Sequence, residues 1–295
     1  MILVPGGNGY LGRPFCEKLA QTGLAVLSLD LTQAETTQYQ SLVGDIRDRE
    51  TLDAVFDDYP ITTVVNLASI LVSASTADPL ASFQVNVIGS FNLLSLCHKY
   101  TVPRFVFGSS YSALGNPSHD ENPIDECIAP QPTDFYGQTK AFVEEMGTFF
   151  SQLGGSQFVS ARMPMIVGPG KPTTTSAWRA EMFNLLSVGG SILIDYMPDE
   201  VIPLAHYEDV ANHLVSLTLS ENLDHSTYHL PYETWRVKDL GRTLKEMNPR
   251  LEISYGERQL HGSPTSLAWS RIRGELGLQQ PSLHKRFQEE KKRSE

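Results

Sequence analysis

Over roughly the first 165 residues, short apolar runs alternate with longer stretches in which apolar residues recur every three or four positions. The runs predict strands at residues 2–4, 25–29, 63–67, 104–108 and 157–162, with a weaker one just before Gly44. The periodic stretches predict helices over 11–21, 48–57, 79–100 and 133–152. Strand and helix in alternation point to an α/β fold with a doubly wound parallel sheet, covered by crossover helices on both faces. Past Met163 the pattern changes to a Pro/Gly/Thr-rich loop over 168–176, a helix to about residue 188 and scattered short elements through 278. The chain thus divides into a sheet domain (1–165), a small lobe (166–284) with elements returning to the core, and a mixed-charge end (285–295). That end reads as a solvated helix terminus or frayed tail.

Composition narrows the classes. In 295 residues, 41% hydrophobic and 19% charged positions exclude disorder, collagen and coiled coil, and the length allows one enlarged α/β domain or two units. A net charge of −11 argues against nucleic acid and anionic membranes as partners. Cys16, Cys97 and Cys127 form no CxxC, so neither a disulfide framework nor a metal site is expected. The N-terminus shows no export leader and no run reaches about 18 consecutive apolar residues, giving the expectation of a cytoplasmic protein.

Gly6, Gly9 and Gly12 follow the first strand and open the first helix. Glycines there permit a tight turn and close backbone approach, and the helix start supplies free N–H donors, so the turn can hold a pyrophosphate together with the intervening Asn8, Tyr10 and Leu11. This marks a Rossmann-type sheet. Asp30 closes the second strand, 18 residues beyond Gly12, where a carboxylate can accept from adenosine ribose hydroxyls and repel a 2′-phosphate. NAD is favoured over NADP; a strand-end turn or cap is the competing role for Asp30. Asp45 and Ile46 stand where an adenine could be bracketed, with a cap or turn as the alternative for Asp45. Leu67, Ala68 and Ser69 end the fourth strand; their size suits either close cofactor approach or a tight turn.

Tyr136 and Lys140 lie four apart on a predicted helix, about 5–6 Å apart at Cβ on one face. Ser110 ends the strand at 104–108, at the sheet edge where open α/β enzymes place their crevice. A tyrosine with a pKa near 10 becomes a usable base when a lysine ammonium and an oxidised nicotinamide stabilise its phenolate. Lys140 can also hold ribose hydroxyls, and Ser110 can hydrogen-bond the substrate oxygen whose charge changes during hydride transfer.

These residues, with Gly44-Asp45-Ile46, Asn86-Val87-Ile88-Gly89, Tyr136-Gly137-Gln138-Thr139-Lys140, Arg162 through Gly170 and Asp209-Val210-Ala211, make the chain resemble the extended short-chain dehydrogenase/reductase family, which includes nucleotide-sugar epimerases and dehydratases. The resemblance runs from Met1 to about Leu278. It implies catalytic roles for Ser110, Tyr136 and Lys140, a supporting one for Asn86, a cofactor contact at Pro164, and a homodimer formed through the helices at 79–100 and 133–152.

Two departures concern the substrate. Where nucleotide-sugar members carry a diphosphate-binding Asn, this chain has Met165, and where they carry an Arg it has the apolar Val201-Ile202-Pro203-Leu204. Methionine cannot replace an amide's hydrogen bonds. The chain is more similar to the threonine dehydrogenase and sugar-acid dehydrogenase branches, although Ser263 and Ala268-Trp269 replace a tryptophan and paired aspartates of the former. The expectation is an NAD-dependent oxidoreductase acting on a secondary alcohol or carbonyl of a small polar metabolite. Lys171 or Arg179 would meet a carboxylate and Thr174, Thr175 or Ser176 hydroxyls, with Tyr111 beside the catalytic serine; solvated loop residues are the competing reading. His206 and Tyr207 read as structural. The rivals are an epimerase or dehydratase that retains its NAD, and a non-catalytic NAD-binding regulator. Tyr111 and Ser112 stand where dehydratases add an acidic residue, which weakens dehydration.

Overall fold

Strand β1 (Ile2–Pro5) is buried at every position and pairs in parallel with strands on both sides. In this computed structural model, which describes all residues except 37, 117–122, 172–175 and 295, β1 leads into α1 (Gly12–Gln21), β2 (Val26–Asp30), β3 (Gln40–Val43), α2 (Arg49–Asp58) and β4 (Thr63–Asn66). Two short helices, α3 (Val72–Ala77) and α4 (Pro79–Ser82), a π-helical stretch at Phe83–Gly89 and α5 (Ser90–Lys99) precede β5 (Arg104–Ser110), α6 (Phe135–Gln152) and β6 (Gln157–Met163). The chain continues through β7 (Met165–Val167), α7 (Trp178–Asn184), β8 (Gly190–Tyr196), β9 (Val201–His206), α8 (Tyr207–Leu219), β10 (Thr227–His229) and β11 (Glu233–Arg236). It ends with α9 (Val237–Met247), β12 (Leu251–Arg258), α10 (Ser270–Leu276) and α11 (Leu283–Ser294).

Seven strands form one parallel sheet in the order β10-β6-β5-β4-β1-β2-β3. The chain runs outward from β1 to β3 and then returns to β4, so the order reverses between β1 and β4; a crevice opens there at the carboxyl edge. Alternation along β1 separates two cores. Ile2 and Val4 join Phe15, Leu19, Val210 and Leu214 on one face, and Leu3 joins Leu27, Phe56, Leu93, Phe105 and Val143 on the other. A third core, with Trp178, Phe183, Ile192, Ile202, Leu240 and Phe287, fills the lobe built on two small sheets, β11-β9-β7 and β12-β8. The second half of the chain also returns β10 to the main sheet beside β6.

Two expectations are corrected. The helix expected over 79–100 is interrupted by the π-helical stretch, because apolar periodicity reports which face is buried and not which carbonyl each N–H chooses. The segment Pro79–Lys99 is long and apolar enough to cross a membrane by composition, but 56% of its most apolar window is buried within the fold, as in a core helix. The charged end is the helix terminus of the two readings, but not a solvated one throughout: it belongs to α11, whose Leu283 and Phe287 are fully buried and whose Arg286 forms a double contact with buried Asp209 on α8. Two apolar residues four apart carried that signal beneath the charges.

His206, the residue before α8, has its imidazole fully buried between Phe183 and Tyr207, at 5.2 and 4.7 Å between ring centres, with neither ring nitrogen hydrogen-bonded among the described residues. Burial pushes its pKa from 6.5 to about 3, and buried His229 moves the same way. The fold thus holds both rings neutral while the unfolded chain takes up protons, so their stabilisation is complete above the unfolded value and drains away as pH falls towards the folded one. Thermal melts between about pH 7 and pH 4 should show a steeper loss of Tm for the parent than for His206→Leu; equal slopes would rule out this source of acid sensitivity.

Candidate active site

The turn after β1 leaves no room for a side chain at Gly6 or Gly12. Gly6 has φ +78°, and a Cβ there would meet Ala68 N at 2.5 Å; at Gly12 it would meet Gly6 O at 2.0 Å. Asn66, buried at the end of β4, accepts from Ala68 N at 3.2 Å and steers Leu67 and Ala68 over that turn. Asp30 Oδ2 accepts from Asn8 N at 3.0 Å, while Asn8 Oδ1 accepts from Ser28 Oγ at 2.7 Å and Asn8 Nδ2 donates to Thr32 O. The Asp30 carboxylate therefore lies against the glycine turn. Asp45 follows β3 at the same sheet edge, paired with Arg47 at 2.6 Å, while Ile46 is buried in the core beneath Gly89; the helix cap belongs to Asp48 instead.

Ser110 closes β5, and its Oγ accepts from Ser112 N at 3.1 Å, opening a 3-10 turn. Asp134 caps α6 by accepting from Gly137 N at 2.7 Å, which sets Tyr136 in the first turn. Burial pushes the Tyr136 phenol up to about 12, opposed by side-chain hydrogen bonding from Ser110 and Ser69; Asp134 raises it further and the Arg179 charge lowers it. Lys140, one turn on, donates from Nζ to Gly108 O at 2.8 Å and lies 4.7 Å from the Phe107 ring centre and 5.4 Å from that of Tyr136. Burial pulls its ammonium down to about 7, against the nearby Glu144 carboxylate. The arrangement can hold a proton on a phenol flanked by hydroxyls, with a cation beneath it.

Asn86 projects from the π-helical stretch. It donates to Ile70 O at 3.0 Å and Thr139 Oγ1 at 3.2 Å and accepts from Ile70 N at 2.8 Å, joining the loop after β4 to α6. Sequence reasoning missed Glu144, a further turn along α6, which binds Arg162 at 2.7 Å and accepts from Ser109 and Ser160, tying α6 to β5 and β6 in a buried network. A glutamate four residues after Lys140 on the buried face was the available signal.

The substrate candidates separate. Tyr111 is buried and donates to Leu230 O within a cluster including Leu114, Ile124 and Leu267, so it is corrected to a core residue. Lys171 is exposed, Ser176 lies at the start of α7, and Thr174 and Thr175 fall outside the described residues. Arg179 on α7 is half-buried and packs 5.8 Å from the Trp178 ring centre, while its buried Nε has no hydrogen-bond partner among the described residues. No carboxylate among those residues forms an ion pair with it, and its charge reaches Tyr10 and Tyr136. Pro164 is buried next to Met163, the register partner of Ser110. Met165 lies in β7 and Ile202 is fully buried in β9. Tyr10 stacks on Tyr207 at 5.5 Å, linking the glycine turn to the lobe. His225 and His229, four apart, diverge: His229 Nδ1 contacts Ala268 O at 2.8 Å, and His225 lies 3.7 Å from Glu275.

Residues 2–222 match the NAD dependent epimerase/dehydratase family. The chain belongs to that family. Its central sheet is of the Rossmann type. It is 35% identical over 169 residues to UDP-glucose 4-epimerase of Halalkalibacterium halodurans, covering 55% of this chain and 49% of that protein, and 34% identical over 161 residues to the Bacillus subtilis UDP-glucose 4-epimerase, covering 49% and 46%. The matches thus span about half of these relatives. In fold it is similar to L-threonine dehydrogenase from Phytophthora infestans, with TM-score 0.89, 22% identity and coverage of 99% of this chain and 98% of that one. It is likewise similar to UDP-glucose 4-epimerase from Thermotoga maritima, with TM-score 0.88, 24% identity and the same coverages.

The glycine cradle fits the family's cofactor, because a Cβ at Gly6 or Gly12 would fill it and the N-terminus of α1 adjoins it. Gly12→Ala should weaken NADH binding by at least about tenfold, and Asp30→Ala should narrow the preference for NADH over NADPH. Fluorescence titration with both dinucleotides checks each expectation; unchanged affinity in Gly12→Ala would place the dinucleotide elsewhere.

Proposed function

We propose that this family member is a dehydrogenase or reductase that interconverts a secondary alcohol and a carbonyl on a small polar metabolite bearing a carboxylate: a sugar acid, hydroxy acid or hydroxy amino acid. The observation carrying the reading is the meeting of Ser110, Tyr136 and Lys140 at the sheet edge that holds the glycine cradle. When bound, NAD supplies the hydride acceptor or donor. Tyr136 takes the hydroxyl proton during oxidation and returns it during reduction. Ser110 hydrogen-bonds the substrate oxygen as its charge changes. The Lys140 ammonium favours the phenolate and binds ribose hydroxyls. Asn86 keeps the loop carrying Ser69 and Ile70 against α6.

Arg179 supports an anionic substrate: a half-buried guanidinium without a carboxylate partner among the described residues favours an incoming one. Met165 and Ile202 support a substrate without a nucleotide diphosphate. The second reading is an epimerase that retains its NAD, favoured by the names of the matched relatives. We also propose a homodimer, since Phe83, Ile88, Phe91, Phe142 and Phe149 expose apolar surface on the π-helical stretch, α5 and α6.

A screen of hydroxy acids, sugar acids and hydroxy amino acids with NAD should release NADH in step with product; product without net NADH supports the epimerase. With an active substrate, Tyr136→Phe should lower kcat about 10²- to 10⁴-fold. Arg179→Ala should raise KM about tenfold or more for carboxylate substrates. An unchanged kcat in Tyr136→Phe would sink the catalytic assignment. Light scattering should find a dimer for the parent and a monomer for Phe142→Glu.

A further inference from the structure

The loop that follows β3 leaves the sheet ladder, yet both of its ends are held. Gly44 N donates to Asp30 O at 2.9 Å, so the loop starts beside the residue whose carboxylate lies against the glycine turn. Further on, the buried Asn92 amide on α5 donates from Nδ2 to Ile46 O at 3.0 Å and to Arg47 O at 3.3 Å. Two carbonyls need two protons, and only the NH₂ end of the amide carries them, which settles how Asn92 is turned. Ile46 itself gives its side chain to the core: a Cβ at Gly89 would meet Ile46 Cδ1 at 2.4 Å. Gly89 and Asn92, three apart on one face, thus take the side chain and the carbonyl of the same residue.

With Ile46 turned inward, Asp45 is the side chain left at the sheet edge. Its carboxylate accepts from Arg47 N at 2.9 Å, from Nη2 at 2.6 Å and from Nε at 2.9 and 3.0 Å. Those bonds hold Asp45 below the usual carboxylate range, as an anion. A carboxylate has about four lone-pair sites, so three donors leave room for one more N–H. The 6-amino group of an adenine is such a donor, whereas a hypoxanthine carries an oxygen there, which a carboxylate repels. Asn92 holds the Arg47 carbonyl and Arg47 holds the carboxylate, so the place of Asp45 depends on Asn92. Resting on the placement of the adenine at Asp45 expected from the sequence, we infer that Asn92 is a positioning residue that sets the base preference of the dinucleotide site, by fixing the loop through Ile46 O and Arg47 O.

The test is binding, not turnover: fluorescence titration of the full chain with NADH and with reduced nicotinamide hypoxanthine dinucleotide, which has oxygen in place of the 6-amino group. The parent should prefer NADH by about tenfold, the value of one hydrogen bond to a charged group. Asn92→Leu keeps the volume and removes both donors, and Asn92→Ala removes them without apolar bulk; each should bring the two affinities within about twofold of one another. Lys99→Ala opens the neighbouring contact of α5 with α2, to Asp53 at 2.7 Å, and should keep the parent's preference. A preference retained in either Asn92 variant overturns the inference. So does one lost in Lys99→Ala, which would assign the effect to the helix seam as a whole. A parent that binds both dinucleotides equally overturns the placement of the adenine instead. No arm of the titration uses Tyr136, so failure of the dehydrogenase reading leaves its result standing.

Discussion

Helix α6 presses a stripe of three polar side chains, Tyr136, Lys140 and Glu144, into the edge of an otherwise apolar parallel sheet, and each must find partners there. Lys140 reaches Gly108 O; Glu144 takes Arg162, Ser109 and Ser160; Tyr136 lies with its ring centre 5.4 Å from Lys140 Nζ. Positions four apart on a helix share one face, so these requirements fall successively along β5 and β6. Satisfying them fixes how α6 sits on the sheet, and with it where the phenol stands relative to the glycine cradle. The chemistry and the packing of the domain are one constraint.

The lobe is joined to that framework by aromatic and ionic contacts. Phe287 packs on Phe183 at 4.8 Å, Phe183 on His206 at 5.2 Å, His206 on Tyr207 at 4.7 Å and Tyr207 on Tyr10 at 5.5 Å, a continuous path from the last helix to the glycine turn. The Arg286 to Asp209 pair fastens the same helix to α8. Removing one member of such a buried pair leaves the other charge without compensation, so the C-terminal helix is integral to the fold.

Much was legible in the sequence for identifiable reasons. The strands could be placed because parallel strands buried on both faces are nearly continuous apolar runs. The glycine turn, Asp30 and the tyrosine–lysine pair could be read because each depends on short spacing along one element. What escaped depended on contacts far apart in the chain. Tyr111, next to Ser110, turns into a core cluster whose other members come from residues 114 to 267. The π-helical stretch carries Asn86, whose partners Ile70 and Thr139 lie 16 and 53 residues away in the chain. The last helix was concealed by its charges, since most of their partners lie on α8 or within the helix itself.

By itself the sequence determined the fold class, the glycine turn after β1 and the one-face spacing of Tyr136 and Lys140, because period-2 and period-3.6 patterns and fixed short spacings are local properties of the chain. Only the tertiary structure decided which polar side chains share the site. It placed Tyr111 in a core cluster, left Arg179 half-buried with no carboxylate partner among the described residues, and gave Glu144 to Arg162. Those outcomes turn on burial and on which polar groups meet across the fold, and both are settled only when distant segments pack together.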